Sequence, residues 1–403
     1  MSRAAAFECA ISTLLRESHL MPPDSITDAI VRHAGPMGVL DAVVYLVDMQ
    51  QGWLRPIPAG SSARREPLAI DDTVAGRAFQ QIATHYGETT EGRRRLWLPL
   101  LDGSARLGVL ELVVEHDTEE DLRRYRALTS LVGLLVVSKS TYSDTFAQVH
   151  RIRPMELQAE LAWAFMPPLS FATPDVLINV AIEPAYQVGG DAFDYALMDD
   201  RLHVSLFDAS GHDLPAGMVA ISALATCRNS RRAGATLEEI ATRADNVIAG
   251  QFGSGRFATA LLCDLDVSNG LFSWISCGHP PPLLIRGSAI EELAAPPRPP
   301  LGVAPLPPSE SGHYVRQQQL QPRDRLLLYT DGVTEARSAD HQEFGRQRLV
   351  DFVNQYAGEG IPAPEALRRL TRAILEHQSG ELSDDATIML LQWRPDRPDQ
   401  YLF

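Results

Sequence analysis

Val188-Gly189-Gly190-Asp191 and Phe207-Asp208-Ala209-Ser210-Gly211-His212, seventeen residues apart from aspartate to aspartate, decide how this chain is read. Each sets a carboxylate beside glycine or another small residue, the composition of a strand end that other backbone approaches closely. Two more acidic segments lie far downstream, Tyr329-Thr330-Asp331-Gly332 and Ser383-Asp384-Asp385-Ala386-Thr387. Residues so far apart cannot share a helix face. They meet only where the edges of a folded sheet converge. Carboxylates gathered there repel one another unless cations neutralise them, and hard divalent cations take oxygen ligands. The pattern predicts a carboxylate-rich metal centre in the C-terminal half.

The totals set the frame. The chain has 403 residues, enough for two or three domains, and is 45% hydrophobic and 22% charged, as globular proteins are. A formal net charge of -15 argues against nonspecific binding to nucleic acid or to an anionic membrane. Lys139 is the single lysine and no GxxxxGK[ST] occurs, which leaves little room for Schiff-base or P-loop chemistry. Cys9, Cys227, Cys263 and Cys277 show no CxxC spacing, so they read as reduced, mostly buried thiols, Cys9 included. With no signal-peptide order at the start, the expectation is a cytoplasmic protein. The longest strongly apolar run, Leu128 to Val137, is too short to span a bilayer, so no membrane partner is expected.

In the N-terminal part, apolar residues at helical spacing run over 4–20, and Met21-Pro22-Pro23 stops that helix. A second helix is expected from Ser25 to about His33. Strands follow at Ala42–Val47 and Trp53–Ile57, then a Ser, Ala and Arg loop over 60–66. A short helix spans Thr73–Gln80. Leu96–Leu101 and Leu107–Val114 form a hairpin around Asp102-Gly103-Ser104. This order of elements over 1–140 resembles a GAF domain, a small-molecule or signal-sensing module, with a PAS domain as the competing reading. From near Asp117, helical spacing continues with a break to about Phe165. Residues 141–169 are therefore expected to be a helical linker, either packed on its own domain or forming a dimeric coiled coil. Pro154 must interrupt it.

The C-terminal part reads as strands, helices, strands, helices, strands. Val176–Ile182, Tyr195–Met198 and Leu202–Asp208 are strands, and a helix is expected over Leu214–Arg231 with Pro215 in its first turn. Thr236-Leu237-Glu238-Glu239 is a capping box. Ser268-Asn269-Gly270 joins the strands Phe257–Asp266 and Leu271–Ser276. A proline-rich loop spans Ala295–Pro308. Arg325–Thr330 and Ala386–Trp393 are strands, and Leu349–Tyr356 and Glu365–His377 are helices. That order predicts a sheet sandwich with helices outside.

Seven segments in order carry a resemblance: Ala185–Asp194, Asp208–His212, Arg256-Phe257-Ala258-Thr259-Ala260, Cys277–Leu283, Leu301-Gly302-Val303, Tyr329–Ala336 and Ser383–Thr387. Together they resemble the PP2C-type serine/threonine phosphatases, within them the bacterial branch typified by SpoIIE and RsbU. The resemblance implies an α/β (α+β) chain with an αββα sandwich over 170–395 and a short tail over 396–403. It implies two Mn²⁺ or Mg²⁺ ions, with three as an alternative count. Asp191, Asp208, Asp331 and Asp384 are the implied ligands, and the backbone carbonyl of Ala209 is a further one. Gly190, His212 and Asp385 are weaker site candidates. Asp384 and Asp385 each also suit a cap or Asx-turn, Asp194 reads as structural, and His212 and His279 read first as turn or packing residues. Asp213 stands where the family usually has glycine, and capping of the following helix is its expected role. The phosphate-binding arginine of eukaryotic relatives is not evident.

The resemblance further implies hydrolysis of a phosphorylated anti-sigma factor antagonist, a STAS-domain protein, under control of the GAF-like domain in a homodimer. Two other readings stand beside it: a catalytically weak or inactive phosphatase-fold scaffold, and a phosphatase of small phosphate esters.

Overall fold

A computed structural model describes residues 3–58, 65–88, 93–253, 255–296, 298–303, 314–358, 361–378, 382 and 384–395. Most of the loop expected over 60–66, much of the proline-rich loop, Ser383 and the tail lie outside them. The chain divides into two compact units, Met1–Pro154 and Met155–Leu402.

The first unit opens with α1 (Arg3–Ser18) and α2 (Ile26–Ala34). Strands β1 (Val39–Val47), β2 (Trp53–Pro56) and β3 (Leu68–Ala69) precede α3 (Val74–Gln81). Strands β4 (His85–Tyr86), β5 (Arg94–Asp102) and β6 (Ala105–Val114) follow, then α4 (Glu119–Ser140) and α5 (Asp144–His150). The strands form one sheet in the order β3-β2-β1-β6-β5-β4. Side chains alternate along β1. Ala42, Val44 and Leu46 pack with the long helices. Val43 and Tyr45 pack on the other face with Phe79 of α3 and Trp97 of β5. The mixed α/β build and the hairpin over 94–114 are as the sequence predicts.

The expected helix from Asp117 to Phe165 is three helices. α4 ends at Ser140, α5 is a separate short helix, and α6 (Leu157–Phe165) lies beyond Pro154. Phe146 and Val149 of α5 belong to the core of the first unit, while Ala159 and Ala162 of α6 belong to that of the second. Residues 141–169 are therefore divided between the units instead of standing as a linker body. Hydrophobic burial on each side of the proline outweighs helix continuity. Cys9 is a second correction: it is exposed on α1, while Cys227, Cys263 and Cys277 are buried. A small, weakly polar side chain on an amphipathic helix carries no signal of which face it takes.

The second unit runs from α6 through β7 (Ser170–Ala172), β8 (Val176–Glu183), β9 (Asp191–Met198) and β10 (Arg201–Ala209). Helices α7 (Leu214–Arg232) and α8 (Leu237–Phe252) come next. Then follow β11 (Ala258–Asp266), β12 (Leu271–Cys277), β13 (Leu283–Arg286), β14 (Ala289–Glu292), β15 (Arg316–Gln319) and β16 (Arg325–Tyr329). Short α9 (Asp331–Thr334), α10 (Gly345–Gly358), α11 (Ala363–His377) and β17 (Ala386–Trp393) complete it.

Two antiparallel sheets result, ordered β15-β12-β11-β10-β9 and β14-β13-β16-β17-β8-β7. The main core lies on the first sheet, with α7 and α8 on it and Ile178, Val180, Leu328 and Met389 of the second sheet packed against it. The other face of the second sheet, through Leu327, Ile388 and Leu390, packs with Leu367 and Leu370 of α11. Phe193, Phe207 and Phe272 are fully buried, each contributing about 1.5–3 kcal/mol relative to exposure. The capping box at Thr236 forms as the sequence predicts, and Asp213 caps α7 by accepting the Ala216 N–H at 3.0 Å. Strands β13 and β15 have no sequence forecast. Prolines crowd the first and glutamines fill the second, so neither shows an apolar alternation.

Candidate metal centre

Asp191 opens β9, and Asp208 is the next-to-last residue of β10. The two strands pair so that these aspartates face each other directly. Asp331 follows β16 and opens α9, and Asp384 and Asp385 immediately precede β17. Two aspartates thus come from the first sheet and three from the edge of the second.

Threonines and backbone amides join the two edges. Asp385 Oδ2 accepts the N–H groups of Gly189 at 2.8 Å, Gly190 at 2.6 Å and Asp191 at 3.1 Å. Asp191 Oδ2 accepts the hydroxyls of Thr330 at 2.9 Å and Thr387 at 2.6 Å. Thr387 N–H in turn donates to Thr330 Oγ1 at 2.9 Å. Gly332 and Gly190 permit this closeness. A Cβ on Gly332 would sit 2.0 Å from the Asp385 carbonyl oxygen, and one on Gly190 would sit 2.6 Å from that of Ala209.

The electrostatics follow from the crowding. Burial first, then Asp331, Asp384 and Asp385, pushes the Asp208 carboxyl up to about 8. Burial, with Asp208 and Asp385 behind it, raises Asp191 well above the ordinary carboxylate range. Asp331 is raised by burial, Glu335 and Asp384. Burial also raises Asp385, against the three amides that favour its charge. Among the described residues, no three His, Cys, Asp or Glu side chains stand as a ready-made cage for an ion. The aspartates are neighbours within electrostatic reach of one another.

The donor set nevertheless fits a hard divalent cation. All the gathered groups are oxygen donors, and Asp191 Oδ1 is buried with no hydrogen-bond partner. A cation there would supply the missing partner and offset the repulsion that raises Asp208.

Asp385 is mainly a clamp: its buried Oδ2 holds the Gly189–Asp191 turn, while Asp384 is exposed. Asp194 is structural, paired with Arg228 at 2.6 Å and Arg231 at 2.9 Å. His212 is exposed. His279 is buried and its imidazole is pushed down to about 3 by that burial, so at neutral pH it is uncharged and is not the imidazolium acid that a leaving group would need. Its Nδ1 lies 2.7 Å from Thr259 Oγ1, and the Thr259 hydroxyl also bonds Asp208, its cross-strand neighbour. Thr259, Thr330 and Thr387 are site residues the sequence reading passed over, although each lies inside a quoted motif. A cavity of about 760 Å³ between the second sheet and α10–α11, lined by Leu327, Phe352 and Leu367, includes none of these aspartates.

The C-terminal unit is thus two stacked antiparallel sheets faced by helices, with aspartates from both sheets at one end. Residues 198–394 match the family model described as Stage II sporulation protein E (SpoIIE). The chain is 27% identical over 245 residues to protein IcfG of Synechocystis sp., covering 54% of this chain and 38% of that one. It is 21% identical over 212 residues to phosphoserine phosphatase RsbU of Bacillus subtilis, covering 52% of this chain and 61% of that one. The chain therefore spans less than two thirds of either relative. Among solved structures, the RsbU and RsbW domains of a Mycobacterium tuberculosis protein share 27% identity, covering 56% of this chain and 62% of that one, at a TM-score of 0.47. The segment similar to the SpoIIE model, 198–394, lies within the C-terminal unit. Among the described residues no helix is long and apolar enough to cross a membrane.

Proposed function

We propose that the C-terminal unit is a phosphoprotein-directed phosphatase domain whose metal centre is not preassembled, so that the chain alone is a weak catalyst. What carries this is the burial and crowding of aspartates from two sheets, which push Asp208 up to about 8, with no ready-made cage among the described residues. Asp191, Asp208, Asp331 and Asp384 would hold the Mn²⁺ or Mg²⁺ ions, with the Ala209 carbonyl as a further ligand. When bound, two such ions neutralise phosphoryl oxygens and lower the pKa of a bridging water. The chain's own part is placement. Thr330 and Thr387 orient Asp191, Thr259 holds Asp208, and Asp385 fixes the glycine turn that lets backbone approach.

A second reading, a phosphatase-fold binding protein with no turnover, is favoured by that same lack of a preformed cage. Hydrolysis of para-nitrophenyl phosphate with and without Mn²⁺ separates the two. Turnover that rises with Mn²⁺ and disappears in Asp208→Asn and Asp331→Asn supports the enzyme. No turnover at saturating Mn²⁺ leaves the binding protein. Comparing phosphoprotein, phosphopeptide and small esters then sets the substrate class.

The natural substrate in this reading is a phosphorylated STAS-domain anti-sigma factor antagonist in the cytoplasm. Supporting it is the match to RsbU, named a phosphoserine phosphatase. The first unit acts as a GAF-like sensor for a small ligand, in a homodimer. Its element order supports this, as does buried Glu111, which Tyr45 contacts at 3.3 Å beneath α3. Deleting residues 1–154 and finding activity and regulation unchanged would remove the sensor from the scheme.

A further inference from the structure

In the phosphatase reading the four aspartates would hold the metal ions, and that assignment names no cationic side chain among the described residues for the substrate's phosphate. We infer that Arg256 is a phosphate-recognition residue, and that Asp213 occupies it as an internal competitor. This rests on the phosphatase reading of the site.

The placement comes from strand register. Asp208 and Ala209 pair with Thr259 and Ala258 across β10 and β11. Ser210 N–H donates to the Phe257 carbonyl at 2.9 Å, which continues the ladder one step past the strand. Arg256 is the next residue out. It stands three residues, roughly 10 Å of extended chain, from the partner of Asp208. Its Nη1 donates to the Ser210 carbonyl at 3.0 Å, on the loop that leaves the metal-binding strand. A Cβ on Gly211 would lie 3.3 Å from that same nitrogen. The guanidinium is therefore packed on the rim of the candidate centre.

Its present partner has the shape of an anion. Arg256 Nη1 meets Asp213 Oδ1 at 3.0 Å, and Nη2 meets Oδ2 at 2.7 Å. Two parallel N–H bonds to two oxygens is how a guanidinium takes a phosphate. The side chains are 32% and 51% exposed, so solvent screens this pair and an incoming dianion can displace it. Asp213 also caps α7, whose 19 residues bring a positive N-terminal end to the same point. Released from Asp213, Arg256 and that helix end present two independent attractions for a phosphoryl group. Asp213 stands where the resemblance places glycine, so this chain carries a competitor that the family pattern omits.

The test is calorimetric titration of inorganic phosphate into the full chain, with and without Mg²⁺. Asp213→Asn keeps a capping side chain and removes the charge. It is expected to tighten phosphate binding by about threefold, within the roughly fivefold that an exposed ion pair can withhold. Arg256→Gln is expected to weaken binding about tenfold, and Arg256→Lys to fall between, since it keeps charge without the fork. The double variant should bind like Arg256→Gln alone. Unchanged melting temperatures show that each variant is folded. Native-like phosphate binding by Arg256→Gln overturns the inference, as does a native chain and Asp213→Asn that both fail to bind. Asp213→Asn binding no tighter than native overturns the competitor role. Absent Mn²⁺-dependent turnover, with Arg256-dependent phosphate binding intact, would defeat the phosphatase reading alone.

Discussion

Asp385 and Asp191 belong to different sheets, yet the Asp385 carboxylate accepts the Asp191 backbone N–H at 3.1 Å. One residue's side chain thus sets where the other's backbone begins its strand. Replacing Asp385 by Ala strands the amides of Gly189, Gly190 and Asp191 in a buried turn. A loss of about 3 kcal/mol is expected, read as a lower urea midpoint, because buried donors left unpaired cost about 1–3 kcal/mol each. Asp385→Asn keeps an acceptor and should lose less. Equal midpoints for the Ala variant and native protein would remove the clamp.

Asp208 is the carboxylate held up to about 8, by burial and three neighbours. Removing its charge has opposite effects on stability and activity. Without metal, Asp208→Asn should melt higher than native protein at pH 8.5, since self-repulsion is gone. With Mn²⁺, its turnover should fall on the order of 100-fold or more, as loss of a group that stabilises transition-state charge does. A variant that melts lower and turns over normally contradicts both.

The same shift fixes a pH dependence for the metal-free protein. A carboxyl raised from its ordinary value of 3.8 to about 8 keeps its proton in the folded state where the unfolded chain has lost it. The folded state then binds more protons than the unfolded one across that interval, so this contribution to stability falls as pH rises. In EDTA the melting temperature is expected to decline from pH 5 to pH 8, and saturating Mg²⁺ should flatten the decline. A rise with pH in EDTA would refute the assignment.

Cys227, His203 and Asp264 form a chain that looks nucleophilic on paper. Cys227 Sγ lies 3.3 Å from His203 Nε2, and His203 Nδ1 lies 3.0 Å from Asp264. Burial pushes the Cys227 thiol up to about 12, so it stays protonated and inert. Alkylation of native protein at pH 8, read by mass spectrometry, should label Cys9 and spare Cys227, Cys263 and Cys277. Rapid labelling of Cys227 would show that the core opens.

The longer C-terminal strands were legible because their apolar runs are long and end in glycine or acidic turns, and Thr236 and Asp213 are recognisable caps. The aspartates were legible for a similar reason. Carboxylates in glycine-flanked motifs are costly to bury without a task. The threonines were not, because a hydroxyl in a strand is ordinary until its partner is known. The break at Pro154 was visible, but the distribution of 141–169 between two cores was not, since periodicity shows a buried face and not which core buries it.

By itself the amino-acid order determined the longer strands, the caps that start several helices, and that acidic motifs spread along the second half had to meet. Local backbone preference and apolar periodicity act over a few residues and need no knowledge of the rest. Only the tertiary structure decided that Asp385 holds the Gly189–Asp191 turn, that Arg256 pairs with Asp213, and that Asp208 is raised. Each depends on distances between segments far apart in the chain, set by how the two sheets stack. Charge and hydrogen bonding are decided by proximity in space, and the one-dimensional order does not carry that distance.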